Sequence, residues 1–79
     1  MEIKVLGTGC PNCMKTKAIA AEAVKELNVD AEVIEVTDIA DIMAYGVIST
    51  PAIVIDDKVV RSGGGPKKDQ MKALIQAAA

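Results

Sequence analysis

The sequence contains no histidine, tryptophan or phenylalanine, and its only aromatic residue is Tyr45. Without histidine, a Cys–His hydrolase mechanism is excluded, and a reactive thiol must be activated by backbone dipoles, lysines or a carboxylate. Without large aromatic side chains, the hydrophobic core must be built from Ile, Val, Leu, Ala and Met. With only two cysteines, the chain fills two of the four ligand positions that zinc usually takes.

Long apolar runs and a strong charge of one sign are also lacking. No stretch approaches the roughly 18 apolar residues of a membrane span, and residues 1–7 lack the apolar run of a signal peptide. The net charge of −2, with basic residues scattered among acidic ones, gives no basic stripe for nucleic acid. We therefore expect a cytoplasmic monomer that binds neither nucleic acid nor membrane, holds no cofactor and forms one domain over residues 1–79.

The first half of the chain alternates between strand and helix patterns. Residues 2–6 are rich in β-branched side chains and predict a strand. Apolar residues at helical intervals predict a helix over residues 11–27 that stops at Asn28. Residues 31–36 read as a strand covered on both faces, and Asp38 can cap a short helix that ends before Gly46.

The second half predicts a hairpin followed by a last helix. Residues 51–56 and 58–62 read as strands joined by a turn at Asp56 and Asp57, which is too short for anything but antiparallel pairing. Gly63 to Gly65 predict a turn, and Pro66 suits the first turn of a helix whose apolar face is Met71, Leu74, Ile75 and Ala78. The predicted class is α/β, in the order β1-α1-β2-α2-β3-β4-α3. The four-stranded mixed sheet carries helices on both faces, and β1 and β2 are parallel neighbours.

The segment GTGCPNC, residues 7–13, contains both cysteines. Pro11 suits the first position of the long helix, which leaves Cys10 at the N-cap, where the helix dipole stabilises a thiolate. Cys13 lies one turn further in and is expected to be more buried. This asymmetry predicts that Cys10 attacks a partner disulfide and that Cys13 resolves the mixed disulfide.

Two other uses of the cysteine pair remain open. A soft-metal site for Cu(I) or Zn would need further ligands from carboxylates or a second molecule. A purely structural disulfide would close so short a loop that it would remove little unfolded-state entropy. In a reducing compartment, a close cysteine pair is more often catalytic or metal-binding than structural.

The segment STP, residues 49–51, is a second candidate feature. Pro51 stands at the entrance of an apolar strand, where a residue without an N–H is tolerated. A cis Thr50–Pro51 bond is one specific way to turn the chain at this point.

GTGCPNC after the first strand, STP before the third and a glycine pair after the fourth resemble the thioredoxin and glutaredoxin superfamily. The likeness spans essentially the whole chain, and the nearest resemblance is to small archaeal and bacterial thioredoxin-like redox-active disulfide proteins. The resemblance implies a minimal thioredoxin fold and a thiol–disulfide oxidoreductase that reduces protein disulfides. It also implies a flavin-dependent thioredoxin reductase or a small thiol as the reductant.

The resemblance assigns roles to particular residues. Cys10 is the nucleophile, Cys13 the resolving thiol and Pro51 the cis-proline beside them, while the backbone of Thr50 would pair with a bound substrate strand. Gly63 and Gly64 match the glycine pair that glutaredoxins place near the thiols. The candidate substrate-contacting residues are therefore Gly9, Pro11, Asn12, Thr50, Pro51, Gly63 and Gly64, and no metal ligand is assigned.

The chain departs from the thioredoxin pattern at three places. Gly9 replaces the tryptophan before the first cysteine, Pro11 and Asn12 replace Gly-Pro between the pair, and Lys4 stands where thioredoxins carry a buried aspartate. A rival resemblance is to small heavy-metal-binding domains, which also carry CxxC between a first strand and a first helix. A helix over residues 37–46 favours the redox fold, and a strand there would favour the metal carrier.

Overall fold

Four strands and three helices make up the computed structural model, which describes residues 1–9 and 11–78. They are β1 (Glu2–Leu6), α1 (Pro11–Leu27), β2 (Glu32–Val36), α2 (Ile39–Ala44), β3 (Ala52–Ile55), β4 (Lys58–Ser62) and α3 (Lys68–Ala78). The predicted order is confirmed, including a helix at the segment that separates the redox fold from the metal carrier. Within the described ranges, no helix combines the length and apolar character needed to cross a bilayer.

The strands form one mixed sheet in the order β2-β1-β3-β4. β1 is parallel to β2 and antiparallel to β3, and β3 forms an antiparallel hairpin with β4. The hairpin turns at Asp56 and Asp57, which have φ angles of 48° and 66°. The predicted parallel pair and antiparallel hairpin are confirmed, and the structure adds a bulge in the β3–β4 ladder at Ile53 and Val54.

The two faces of the sheet bury separate apolar cores, because side chains alternate along each strand. Ile3 and Val5 of β1 face α1 and α3, in the cluster of Ile3, Val5, Ala20, Ala23, Ile53, Ile55, Met71 and Ile75. Leu6 faces α2, in the smaller cluster of Leu6, Ile42, Ala52 and Val54. Helices therefore cover both faces, and the α/β class with a minimal thioredoxin fold is confirmed.

The end of α1 shows why the helix stops where the sequence predicts. Asn28 has a φ of 54°, and its N–H donates to the carbonyl of Lys25. The N–H of Val29 reaches back to the carbonyl of Val24. This is the Schellman arrangement, in which a left-handed residue lets the chain satisfy the last helical carbonyls before it turns into β2.

The two later helices differ in detail from the prediction. The Asp38 carboxylate accepts from the N–H of Ala40 at 2.8 Å and caps α2 as expected, but of its apolar residues only Ile42 is buried, and Ile39 and Met43 are exposed. In α3, Met71 and Ile75 are buried, while Ala78 is exposed.

Pro66 does not lie in the first turn of α3, as the sequence suggested. The helix begins at Lys68, because the Gln70 side chain accepts from the N–H of Lys67 at 3.0 Å and caps the helix there. Pro66 instead precedes the cap and is fully buried.

Candidate active site

Cys13 lies in the first turn of α1, and only 3% of its surface is exposed. It is held against Gly7, the residue that follows β1 and whose N–H donates to the carbonyl of Val36 at 2.9 Å. A Cβ at Gly7 would fall on Cys13 Sγ and would lie 2.8 Å from Cys13 Cβ. The sulfur therefore occupies space that any other residue at position 7 would fill.

Cys10, the predicted nucleophile, lies outside the described residues. Its neighbours in the motif are described: Gly9, Pro11 and Asn12 are all exposed, and Pro11 is the first residue of α1. No acidic residue lies in the first turn of α1. The positive end of the helix dipole is therefore not offset by a carboxylate of its own helix.

Thr16 connects the first turn of α1 to the rest of the site. It is 1% exposed, and its hydroxyl donates to the carbonyl of Asn12 at 2.7 Å. A Cβ at Gly65 would lie 3.1 Å from Thr16 Oγ1 and 3.7 Å from Pro51 Cγ. Gly65 therefore sits between Thr16 and Pro51, and the sequence-based prediction missed Thr16 because a threonine fits a buried or an exposed helix position equally well.

The segment before β3 and the glycine loop after β4 are joined to each other. The Thr50–Pro51 peptide bond is cis, Thr50 is exposed and Pro51 is buried. The N–H of Gly63 donates to the carbonyl of Pro51 at 2.9 Å. Gly63 and Gly64 have φ angles of 76° and 65°, which suit glycine. The structure thus brings Pro51, the glycine loop and the first two turns of α1 together.

Two grooves flank the N-terminal half of α1. The first, which we call the basic groove, has a volume of about 360 Å³ and lies between α1 and the glycine loop. It is lined by Asn12, Lys15, Thr16, Ile19, Gly64, Gly65, Pro66 and Lys67. The second, which we call the apolar groove, has a volume of about 350 Å³ and lies on the side of β2. It is lined by Gly9, Met14, Lys17, Ala18, Ala21 and Glu35.

Lys4 of β1 faces α2. Its amine donates to the Tyr45 hydroxyl at 2.7 Å and lies 3.2 Å from a Glu2 carboxylate oxygen. The hydrogen bond to Tyr45, followed by that to Glu2, raises the pKa of Lys4 above its ordinary value. These contacts connect the sheet to the end of α2. The sequence did not predict the hydrogen bond between Lys4 and Tyr45.

The donor groups of the described residues do not gather into a metal site. Over residues 1–9 and 11–78, no group of three or more Cys, Asp or Glu side chains could hold an ion. A cavity of about 410 Å³ lies on the α2 face and is lined by Lys4, Val36, Asp41, Ala44 and Tyr45. It is therefore separate from the face that carries α1.

Comparison with known proteins gives consistent matches over nearly the whole chain. The model of a family described as "Thioredoxin domain" matches residues 1–76. A protein named thioredoxin from Methanocaldococcus jannaschii is 40% identical over 75 residues, which cover 95% of this chain and 86% of that protein. Another protein of that name, from Methanothermobacter thermautotrophicus, is 33% identical over 75 residues, covering 95% of this chain and 97% of that protein.

Proposed function

We propose a function from the premise that this chain belongs to the thioredoxin domain family. The protein is a thiol–disulfide oxidoreductase that reduces disulfides in other proteins through the Cys10–Cys13 couple. Its substrates are disulfide-containing proteins, and a flavin-dependent reductase or a small thiol returns it to the dithiol form. It acts in the cytoplasm, where such a reducing system operates.

The burial of Cys13 is the observation that carries this proposal. A resolving thiol must be shielded from outside disulfides yet lie beside the attacking thiol, and the glycine at position 7 provides the space for it. Pro11 begins α1, which supports a place for Cys10 at the helix start, where backbone N–H groups favour a thiolate. Lys15, in the second turn of α1, adds positive charge near the start of the helix.

The reaction conserves atoms and electrons in two exchanges. The Cys10 thiolate attacks one sulfur of the substrate disulfide, forms a mixed disulfide and releases the other sulfur as a thiolate that takes up a proton. The Cys13 thiol loses its proton and attacks the Cys10 sulfur, which releases the second substrate thiolate. Two electrons pass to the substrate, and the protein is left with a Cys10–Cys13 disulfide.

Insulin reduction by dithiothreitol, followed as turbidity, tests this function. The wild-type protein should accelerate the reduction, and Cys10→Ser should lower the rate to that of dithiothreitol alone. Reduced Cys13→Ser, mixed with insulin after the dithiothreitol has been removed, should instead accumulate a mixed disulfide between Cys10 and the substrate, because the attack is retained and the release is lost. Non-reducing gel electrophoresis and mass spectrometry would detect that adduct.

Two results would contradict the proposal. An unchanged rate for Cys10→Ser would show that the nucleophile is wrongly assigned. Protein purified under reducing conditions with stoichiometric copper or zinc, and without catalysis of insulin reduction, would favour the soft-metal alternative.

A further inference from the structure

The basic groove carries positive charge that the described residues do not neutralise. Lys15 and Lys67 line it from opposite sides, one on α1 and the other at the cap of α3. No carboxylate lies among the lining residues, and neither lysine forms an ion pair within residues 1–9 and 11–78. The nearest acidic residue in chain order, Asp69, is exposed on α3 and does not line the groove.

Three other lysines of α1 and α3 form ion pairs with glutamates. Lys17, on the opposite side of α1, lies 3.1 Å from Glu35 in the apolar groove. Lys68 and Lys72 lie 2.7 and 2.8 Å from Glu26. Lys15 and Lys67 differ from these three lysines, and both line the groove that includes Asn12 of the cysteine motif.

We infer that the basic groove binds a carboxylate carried by the polypeptide substrate close to its disulfide. This inference rests on the proposed function, because a disulfide engaged by the motif brings its flanking residues to Asn12 and the groove. An acidic side chain there meets Lys15, Lys67 and the positive end of α1, which has no acidic residue in its first turn. The volume of about 360 Å³ suits a side chain and its backbone, at the small end of ligand pockets.

The positive charge of the basic groove contrasts with the negative net charge of the chain. With a net charge of −2, the protein as a whole repels acidic partners, whereas the groove attracts them at short range. The protein should therefore favour acidic substrates only where the carboxylate reaches the groove. That preference should be largest at low ionic strength and should weaken as salt screens the lysines.

A pair of disulfide-linked peptides tests the inference. The two peptides are identical except that aspartate flanks the cysteine on both sides in one, and asparagine in the other. The rate of reduction by the dithiol form of the protein is measured at low and high salt. Each rate is divided by the rate with dithiothreitol, because a neighbouring carboxylate also changes the reactivity of the peptide's own sulfur.

The wild-type protein should reduce the aspartate peptide about two- to tenfold faster than the asparagine peptide at low salt, as expected for one or two exposed ion pairs. The double variant Lys15→Gln, Lys67→Gln should lose this ratio. The control is the double variant Lys25→Gln, Lys58→Gln, which makes the same change in net charge at lysines outside the groove and should keep the ratio.

Four outcomes would overturn the inference, and they differ in what they say of the proposed function. Equal reduction of both peptides, or a ratio that survives in the groove variant, would remove the carboxylate site and leave the reductase intact. A preference seen with dithiodiglycolate over its diamide, but not with the peptides, would remove the polypeptide assignment. Failure to reduce either peptide would overturn the reductase function and the inference together.

Discussion

Among single residues, Gly7 sets the space available to the buried sulfur. Glycine after a strand usually marks a turn, and the local sequence suggests no other reason for Gly7. In the structure, position 7 requires glycine because a Cβ there would collide with the side chain of Cys13. A close approach between residues six positions apart in sequence cannot be seen in a local pattern, whereas the cysteine spacing can.

Gly7→Ala should destabilise the protein by about 1 to 3 kcal/mol, because Gly7 is buried and the added methyl would overpack its contact with Cys13. It should also slow disulfide reduction by displacing Cys13. Urea denaturation and the insulin assay would measure the two effects. Gly65→Ala is the graded control: its Cβ would meet Thr16 Oγ1 at 3.1 Å, a contact that small shifts can relieve. Equal stability of Gly7→Ala and wild type would show that the motif can move away from β1 without cost.

The burial of Thr16 could not be predicted from the sequence pattern. The buried residues of α1 are Cys13, Thr16, Ala20 and Ala23, and Thr16 is the one among them that apolar periodicity does not select. Its hydroxyl is compatible with burial because it donates to the carbonyl of Asn12. The pairing depends on the helix already being in place, so composition does not reveal it.

Among elements, the turns were easier to predict than the helix starts. Asp56 and Asp57 were expected at the hairpin, and both adopt positive φ, as a two-residue turn matched to the twist of its strands requires. Asn28 was likewise expected at the end of α1. The start of α3 was misplaced because Pro66 suggested a first turn, whereas the cap is formed by Gln70, whose side chain reaches back to Lys67.

The hairpin offers a prediction on backbone strain. Asp57→Gly should be more stable than Asp57→Ala by about 1 kcal/mol, because alanine at a φ of 66° places its Cβ against the following carbonyl and glycine does not. Both variants remove the same carboxylate, which is 80% exposed and 3.5 Å from Lys4, so its loss cancels in the comparison. Urea denaturation of the two variants checks the difference. Equal stabilities would mean that the turn relaxes to another conformation in the alanine variant.

Across the whole molecule, the pairing of distant strands is what the sequence revealed least. The parallel β1–β2 pair followed from the crossover rule, and the hairpin from its short turn. The place of β3 between β1 and β4 does not follow from a local sequence pattern. It depends on which strand can bury side chains in both cores, and all four residues of β3 are buried. The contact of Pro51 with Gly65 depends on that placement too, and it brings the STP segment to the glycine loop.

Contacts between α1 and α3 make stability depend on acid. Glu26 of α1 lies 2.7 Å from Lys68 and 2.8 Å from Lys72 of α3. The hydrogen bond from Lys68, followed by that from Lys72, lowers the pKa of Glu26 from its ordinary value of 4.5 to about 2. Because the unfolded chain takes up the proton first, this contribution to stability is present above pH 4.5 and is lost as the pH falls towards 2.

In the Glu26→Gln variant, the free energy of unfolding should therefore depend less on pH below about 4.5 than it does in the wild-type protein. At neutral pH the variant should unfold at a lower urea concentration than wild type, and the two midpoints should converge as the pH is lowered from about 4.5 to about 2. Urea titrations at several pH values and low ionic strength would measure this, since added salt screens an exposed pair. Glu32→Gln is the control, because Glu32 is exposed on β2 and forms no ion pair with any described residue. If the Glu26→Gln and wild-type profiles fall in parallel, the contact between the two helices contributes nothing that acid removes.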